Sequence, residues 1–205
     1  DIDMVTPNDV TGIQWRIGST NTITWVNSHG TMNNAKLYYS TAGDGGPWTI
    51  LRNAGGDIAS VPGGAAQQQH SYSWAIPNDF PIVKDTFRLR VADAGNANVY
   101  DTATALSSTL SKFTISAPVT GNVWVAEDTH TILWSTAQAS VPANVKIEYN
   151  VGAGWLPLPE TEGTVNDGII ANDGTQPWVL GVTRTNAAKV RISDPNDADS
   201  IVESD

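Results

Sequence analysis

All eight tryptophans of this chain fall into four ordered pairs, and that pairing limits the fold more than any other feature. Trp15 pairs with Trp124 and Trp25 with Trp134, each 109 residues apart; Trp48 pairs with Trp155 at 107 and Trp74 with Trp178 at 104. The surrounding segments repeat too. "TNTITWV" (20–26) returns as "THTILWS" (129–135), "AKLYYS" (35–40) as "VKIEYN" (145–150), and "FRLRVAD" (87–93) as "AKVRISD" (188–194). The order never breaks, and after 109 and 110 in the first strands the offset falls in steps to 101, as loop insertions and deletions would make it. A chain of 205 residues with such a repeat reads as two copies of one domain, each large enough to bury its own core.

The period inside each repeat is two. Ile23 and Trp25 alternate with Thr22 and Thr24; Leu37 and Tyr39 with Lys36 and Tyr38; Phe87, Leu89 and Val91 with Arg88 and Arg90; Val145, Ile147 and Tyr149 with Lys146 and Glu148. This is the pattern of antiparallel strands with one face toward a core and one toward water. Turn signals such as "NSHG", "GDGGP", "IPNDFP", "DAGN" and "DPND" separate the runs, and no segment carries a stripe of period 3.6. The expected fold is all-β: two tandem immunoglobulin-like, or fibronectin III-like, antiparallel β-sandwiches. The register predicts repeat 1 over 1–116, closing with the strand "SKFTIS" (111–116). Repeat 2 covers 117–205 and lacks its last strand, as a fragment of a longer chain would.

The net charge is −10 with only 11 Lys and Arg, which argues against a nucleic-acid face or attraction to an anionic membrane. No apolar stretch reaches the length of a membrane span. "DIDMVTPNDV" has neither the basic start nor the apolar core of a signal peptide, so export would depend on a segment outside this sequence. Cysteine is absent. That removes thiolate chemistry, cysteine-ligated zinc and iron–sulfur clusters, and it disfavours the disulfide-stapled sandwiches of secreted eukaryotic proteins. No asparagine begins an N-glycosylation sequon.

One combination is family-like. "W-x-x-G-[ST]-x-x-x-I-x-W" stands as Trp15, Gly18, Ser19, Ile23 and Trp25, followed by "YSWAIP", "RLRVAD" and "FTIS". This resembles the immunoglobulin-like repeat of the yeast cell-wall, Ser-Thr-rich, glycolipid-anchored protein family, which recurs in tandem in large bacterial and archaeal surface proteins. Repeat 2 keeps Trp124, Ile132, Trp134, Trp155 and Trp178 but has Glu127-Asp128 in place of Gly18-Ser19. The resemblance implies a non-catalytic structural module of an extracellular or cell-surface protein, prokaryotic in origin: a surface layer, stalk or adhesin. Its partners would be further repeats of the same polypeptide, through self-assembly, or cell-wall glycan. The competing expectation is a carbohydrate-binding accessory module of a secreted enzyme.

No nucleophile elbow, zinc-protease helix, phosphate loop or dinucleotide fingerprint is present, and His29, His70 and His130 occupy non-equivalent places, so no catalytic role is expected. Two sets of residues invite a ligand. Trp48 and Trp155 follow glycine-rich turns, where an exposed indole could stack on a sugar ring; packed side chains are the alternative. Trp25, Trp74, Trp134 and Trp178 alternate with polar neighbours and belong to the cores. The acidic runs "DAGNANVYD" and "DPNDADS" place Asp93, Asp101, Asp194, Asp197 and Asp199 at matching points of the repeats. Such oxygens at short spacing suit Ca²⁺. The same residues also form turns by bonding their own backbone.

Overall fold

The computed structural model describes residues 1–8, 12–136, 142–159, 166–181 and 183–205. Residues 9–11 therefore lie outside the described residues. The chain divides into two compact units, Asp1–Leu110 and Ser111–Asp205.

The first unit contains β1 (Ile2–Thr6), β2 (Gln14–Arg16), β3 (Thr20–Asn27), β4 (Met32–Ser40), β5 (Thr49–Ile50), β6 (Arg52–Asn53), β7 (Gly56–Asp57), β8 (Val61–Gly64), β9 (Gln69–Ala75), β10 (Val83–Asp93), β11 (Tyr100–Thr102) and β12 (Ser107–Leu110). Its only described helical element is a 3-10 turn at Gly43–Gly45. One sheet has the order β1-β3-β9, and the facing sheet runs β2-β12-β10-β4-β5, with β11 also on β10 and β8 on β4. That division of strands is immunoglobulin-like. Between the sheets lie Ile23, Trp25 and Trp74 from one layer and Leu37, Phe87, Leu89 and Val91 from the other, all buried. The aromatic centre is dense: the Trp74 ring lies 5.6 Å from Trp15, 5.2 Å from Phe80 and 6.2 Å from Phe87.

The last strand of this unit comes in two halves along one side of β10. β11 pairs with Arg90–Ala92 and β12 with Val83 and Phe87. β12 then bonds in parallel with β2, an exception to the antiparallel expectation. Its small hydroxyl side chains explain why the segment reads Ser-Ser-Thr. Ser107 Oγ accepts from Ile13 N, and Ser108 Oγ accepts from Asp85 N. Thr109 Oγ1 accepts from Val83 N and donates to Pro81 O.

The second unit contains β13 (Phe113–Ala117), β14 (Thr129–Thr136), β15 (Asn144–Asn150), β16 (Leu156–Pro157), β17 (Ile169–Ala171), β18 (Thr175–Val179), β19 (Lys189–Asp194) and β20 (Asp197–Glu203). Its sheets are β13-β14-β18 and β16-β15-β19-β20, with β17 on β15. Ile132, Trp134, Val145, Ile147, Trp178, Val190 and Ile192 form the core. Both units are thus all-β sandwiches, as the alternation requires.

The border differs from the sequence expectation. "SKFTIS" does not close the first repeat; its strand opens the second. Ile115 pairs with Trp134 in the second unit as Met4 pairs with Trp25 in the first. The closing strand of repeat 1 is instead β11 with β12. In repeat 2, β20 reproduces β11, since Arg191 faces Glu203 as Arg90 faces Thr102, but among the described residues no strand corresponds to β12.

Replacing Gly18-Ser19 by Glu127-Asp128 changes the chemistry while keeping the backbone. Gly18 N–H donates to Ile76 O, and Glu127 N–H donates to the equivalent Leu180 O. Both residues are left-handed, with φ of 73° at Gly18 and 70° at Glu127. A side chain there costs about 1 kcal/mol or more, because Cβ crowds the following carbonyl. Glu127→Gly is therefore expected to raise the stability of the second unit by roughly 0.5–1 kcal/mol, read from its chemical-denaturation midpoint; an unchanged or lowered midpoint refutes the strain.

Candidate functional site

The strongest side-chain constellation is repeated in both units and centres on an arginine of the outward sheet face. Arg90 on β10 lies opposite Tyr38 of β4, and Arg191 on β19 lies opposite Glu148 of β15. In each case the tryptophan immediately before the short edge strand folds over the guanidinium. The Arg90 guanidinium carbon sits 3.8 Å from the Trp48 ring centre and 4.2 Å from that of Tyr100. Arg90 Nε also donates to Thr102 Oγ1. The Arg191 carbon sits 4.4 Å from the Trp155 ring. Such cation–aromatic contacts contribute about 0.5–2 kcal/mol, more as water is excluded.

The local sequence explains the geometry. β5 and β16 have only two residues each, so backbone pairing alone anchors them weakly. Thr49 pairs with Tyr39, and Leu156 pairs with Tyr149 at the equivalent position. That register delivers the preceding indole to the outward arginine two strands away. Trp48 and Trp155 are consequently half-buried, and each gives one ring face to a guanidinium. The arrangement braces an edge strand against the middle of its sheet.

Repeat 2 adds a charge that alternation alone misplaces. Glu148 is on the outward face, yet it is buried. Arg191 Nε donates to its Oε2 at 2.7 Å, and Lys146 Nζ lies 3.1 Å from Oε1. The hydrogen bond from Arg191 is the main cause holding this carboxyl below its ordinary pKa, opposed by desolvation and aided by Lys146. A glutamate directly across from an arginine is the available signal, though a strand reading alone takes such a residue as solvated.

The five aspartates are placed as follows. Asp93 ends β10 and its Oδ1 accepts from Gly95 N at 2.8 Å. Asp101 lies within β11, and its Oδ2 accepts from Met4 N at 2.7 Å. Asp194 ends β19 and accepts from Asn196 N; Asp197 and Asp199 lie in β20, where Asp197 accepts from Asp199 N and Ser200 Oγ. Among the described residues, no three acidic or histidine side chains converge as metal ligands would. The carboxylates of Asp93, Asp101, Asp194 and Asp197 each accept from a backbone amide.

Comparison with known proteins adds little beyond the architecture. No protein-family model matches the sequence. No curated protein matches it. Among solved structures, the class 5 fimbriae chaperone CfaA is similar at a TM-score of 0.31 and 8% identity, over 100% of this chain and 98% of that one.

Proposed function

We propose that this chain is a pair of structural modules from a large secreted or cell-surface repeat protein of a prokaryote, and that it carries no catalytic site. The single observation that supports the reading most is the repeated arginine–tryptophan brace. The two outward indoles that could have offered a sugar platform are engaged with Arg90 and Arg191 in the same way in both units. Duplication has therefore preserved a stabilising contact. The family suggested by the Trp15, Gly18, Ile23 and Trp25 pattern, the Ser-Thr-rich cell-wall type of immunoglobulin-like repeat, fits this role, as does a surface with net charge −10. Neighbouring repeats and further copies are the proposed partners, in a surface layer, stalk or adhesin.

Three measurements test it. Antibody against the chain is expected to label intact cells of the source organism without permeabilisation; labelling only after lysis overturns the surface assignment. In pelleting assays with insoluble chitin, cellulose and peptidoglycan the protein is expected to stay in solution. Glycan retention that Trp48→Ala or Trp155→Ala abolishes would instead establish a carbohydrate-binding module. Added Ca²⁺ at constant ionic strength is expected to leave the melting temperature unchanged. A calcium-specific rise would give the aspartates a ligand role, by mass action on the folded state.

A further inference from the structure

We propose that the first unit carries a carboxylate-binding site, formed by Lys36 of β4 and Arg90 of β10 beside the rings of Trp48 and Tyr100. The second unit supplies the template. There Lys146 lies opposite Ser193 and Glu148 opposite Arg191. Two cations hold the Glu148 carboxylate: Arg191 Nε donates to Oε2 at 2.7 Å, and Lys146 Nζ lies 3.1 Å from Oε1. Trp155 stacks on the same arginine.

The first unit repeats this register, with Lys36 opposite Ala92 and Tyr38 opposite Arg90. It keeps the lysine, the arginine and the tryptophan, and it puts a phenol where the second unit has the carboxylate. Three contacts fix Arg90. Its guanidinium carbon lies 3.8 Å from the Trp48 ring centre and 4.2 Å from that of Tyr100, and its Nε donates to Thr102 Oγ1. Among the described residues, Arg90 Nη1 and Nη2 have no protein acceptor, and neither does Lys36 Nζ. The outward neighbours on β4 and β10 are Asn34, Tyr38, Arg88 and Ala92; none is acidic, and Arg88 has its own partner in Asp44.

The chemistry of the place selects the ligand. A guanidinium fork takes a carboxylate through two parallel charge-assisted hydrogen bonds. Here the arginine is already immobilised against two rings, so binding costs less conformational freedom. The rings also exclude water from the guanidinium faces, which strengthens the attraction. One arginine and one lysine match a group of single charge, as they do for Glu148. The chain as a whole bears a charge of −10, which repels anions of higher charge more strongly. Two sources present such a group, an acidic sugar and an acidic amino-acid side chain. The site belongs to the sheet face of the unit and is independent of whether these modules build a cell surface.

The test titrates the 205-residue protein with acetate at constant ionic strength and follows the Trp48 indole N–H and the Arg90 Nε–H by nuclear magnetic resonance. Saturable shifts are expected at both, with a Kd on the order of 10 mM. The signals of Trp155 and Arg191 are expected to stay unmoved, because Glu148 already occupies the equivalent position. Tyr38→Glu brings that carboxylate into the first unit and is expected to weaken acetate binding at least about tenfold. Lys36→Met is expected to weaken it about threefold, the effect of one exposed ionic contact. Titrations with glucuronate and with a capped glutamate separate the two sources: tighter binding of either supports the site and names its carrier. Absence of saturable shifts up to about 100 mM acetate, equal shifts at Trp48 and Trp155, or binding unchanged in both variants overturns the site. Phosphate binding more tightly than acetate overturns the carboxylate assignment.

Discussion

Trp25→Ala is expected to cost the first unit roughly 3–5 kcal/mol, the range for emptying a large aromatic site in a packed core. Trp25 is fully buried, and its Nε1 donates to Gly63 O at 3.2 Å. The loss is dominated by packing, because Gly63 O keeps a second donor, Asn27 Nδ2 at 3.1 Å. Collapse around the gap is restricted. A Cβ on Gly63 would already lie 2.4 Å from Met32 O, so β8 and β4 touch backbone to backbone and cannot move closer. Against a usual domain stability of about 5–15 kcal/mol, the change removes a large fraction of the total. Trp48→Ala is expected to cost only about 1 kcal/mol, the value of a partly exposed cation–aromatic contact. Calorimetry on both variants separates the two roles. Equal losses would show that the outward brace carries as much stability as the core.

Much of the architecture follows from short-range pattern. Ile23, Trp25, Leu37, Leu89 and Val91 point inward because alternation leaves them one face, and the structure buries all of them. Trp74, Trp134 and Trp178 obey the same rule. What the pattern does not fix is which neighbour a strand chooses. "SKFTIS" alternates equally well as the last strand of one sandwich or the first of the next. The decision is made by tertiary pairing of Phe113 and Ile115 with β14. The site is legible to a similar depth. Trp48 and Trp155 stand apart from the core tryptophans by their glycine-rich approach, but their arginine partners lie far along the chain and only the sheet register joins them. The aspartates look like a loop cluster in sequence. Asp101 instead lies in β11, and Asp197 and Asp199 lie in β20, because the hairpin after Asp194 turns within two residues and the strand resumes at Asp197.

Glu148→Gln is expected to destabilise the second unit by about 2 kcal/mol at pH 7, the typical contribution of a hydrogen bond to a charged group out of water. Glutamine keeps the shape and burial of the side chain but removes the charge that Arg191 and Lys146 approach. The pH dependence follows from the direction of the shift. The folded carboxyl lies below its ordinary value of 4.5, chiefly because Arg191 hydrogen-bonds the ionised form. Folding therefore favours the deprotonated state. This contribution is fully present above the unfolded pKa and disappears as pH falls through the folded pKa. The difference in stability between the parent protein and the Glu148→Gln variant should thus be constant from pH 7 down to about 5 and shrink below about 4.5. Other carboxylates, Asp79 beside Arg52 among them, titrate in both proteins and cancel in the difference. Denaturation midpoints of the two proteins at pH 7 and pH 3 measure it directly. A difference that stays constant across that interval would mean that the pair contributes packing and no charge. The brace in the second unit would then rest on the Arg191–Trp155 stack without an ionic contribution, as the brace in the first rests on Arg90 with Trp48, Tyr100 and Thr102, where Tyr38 stands in the place of Glu148.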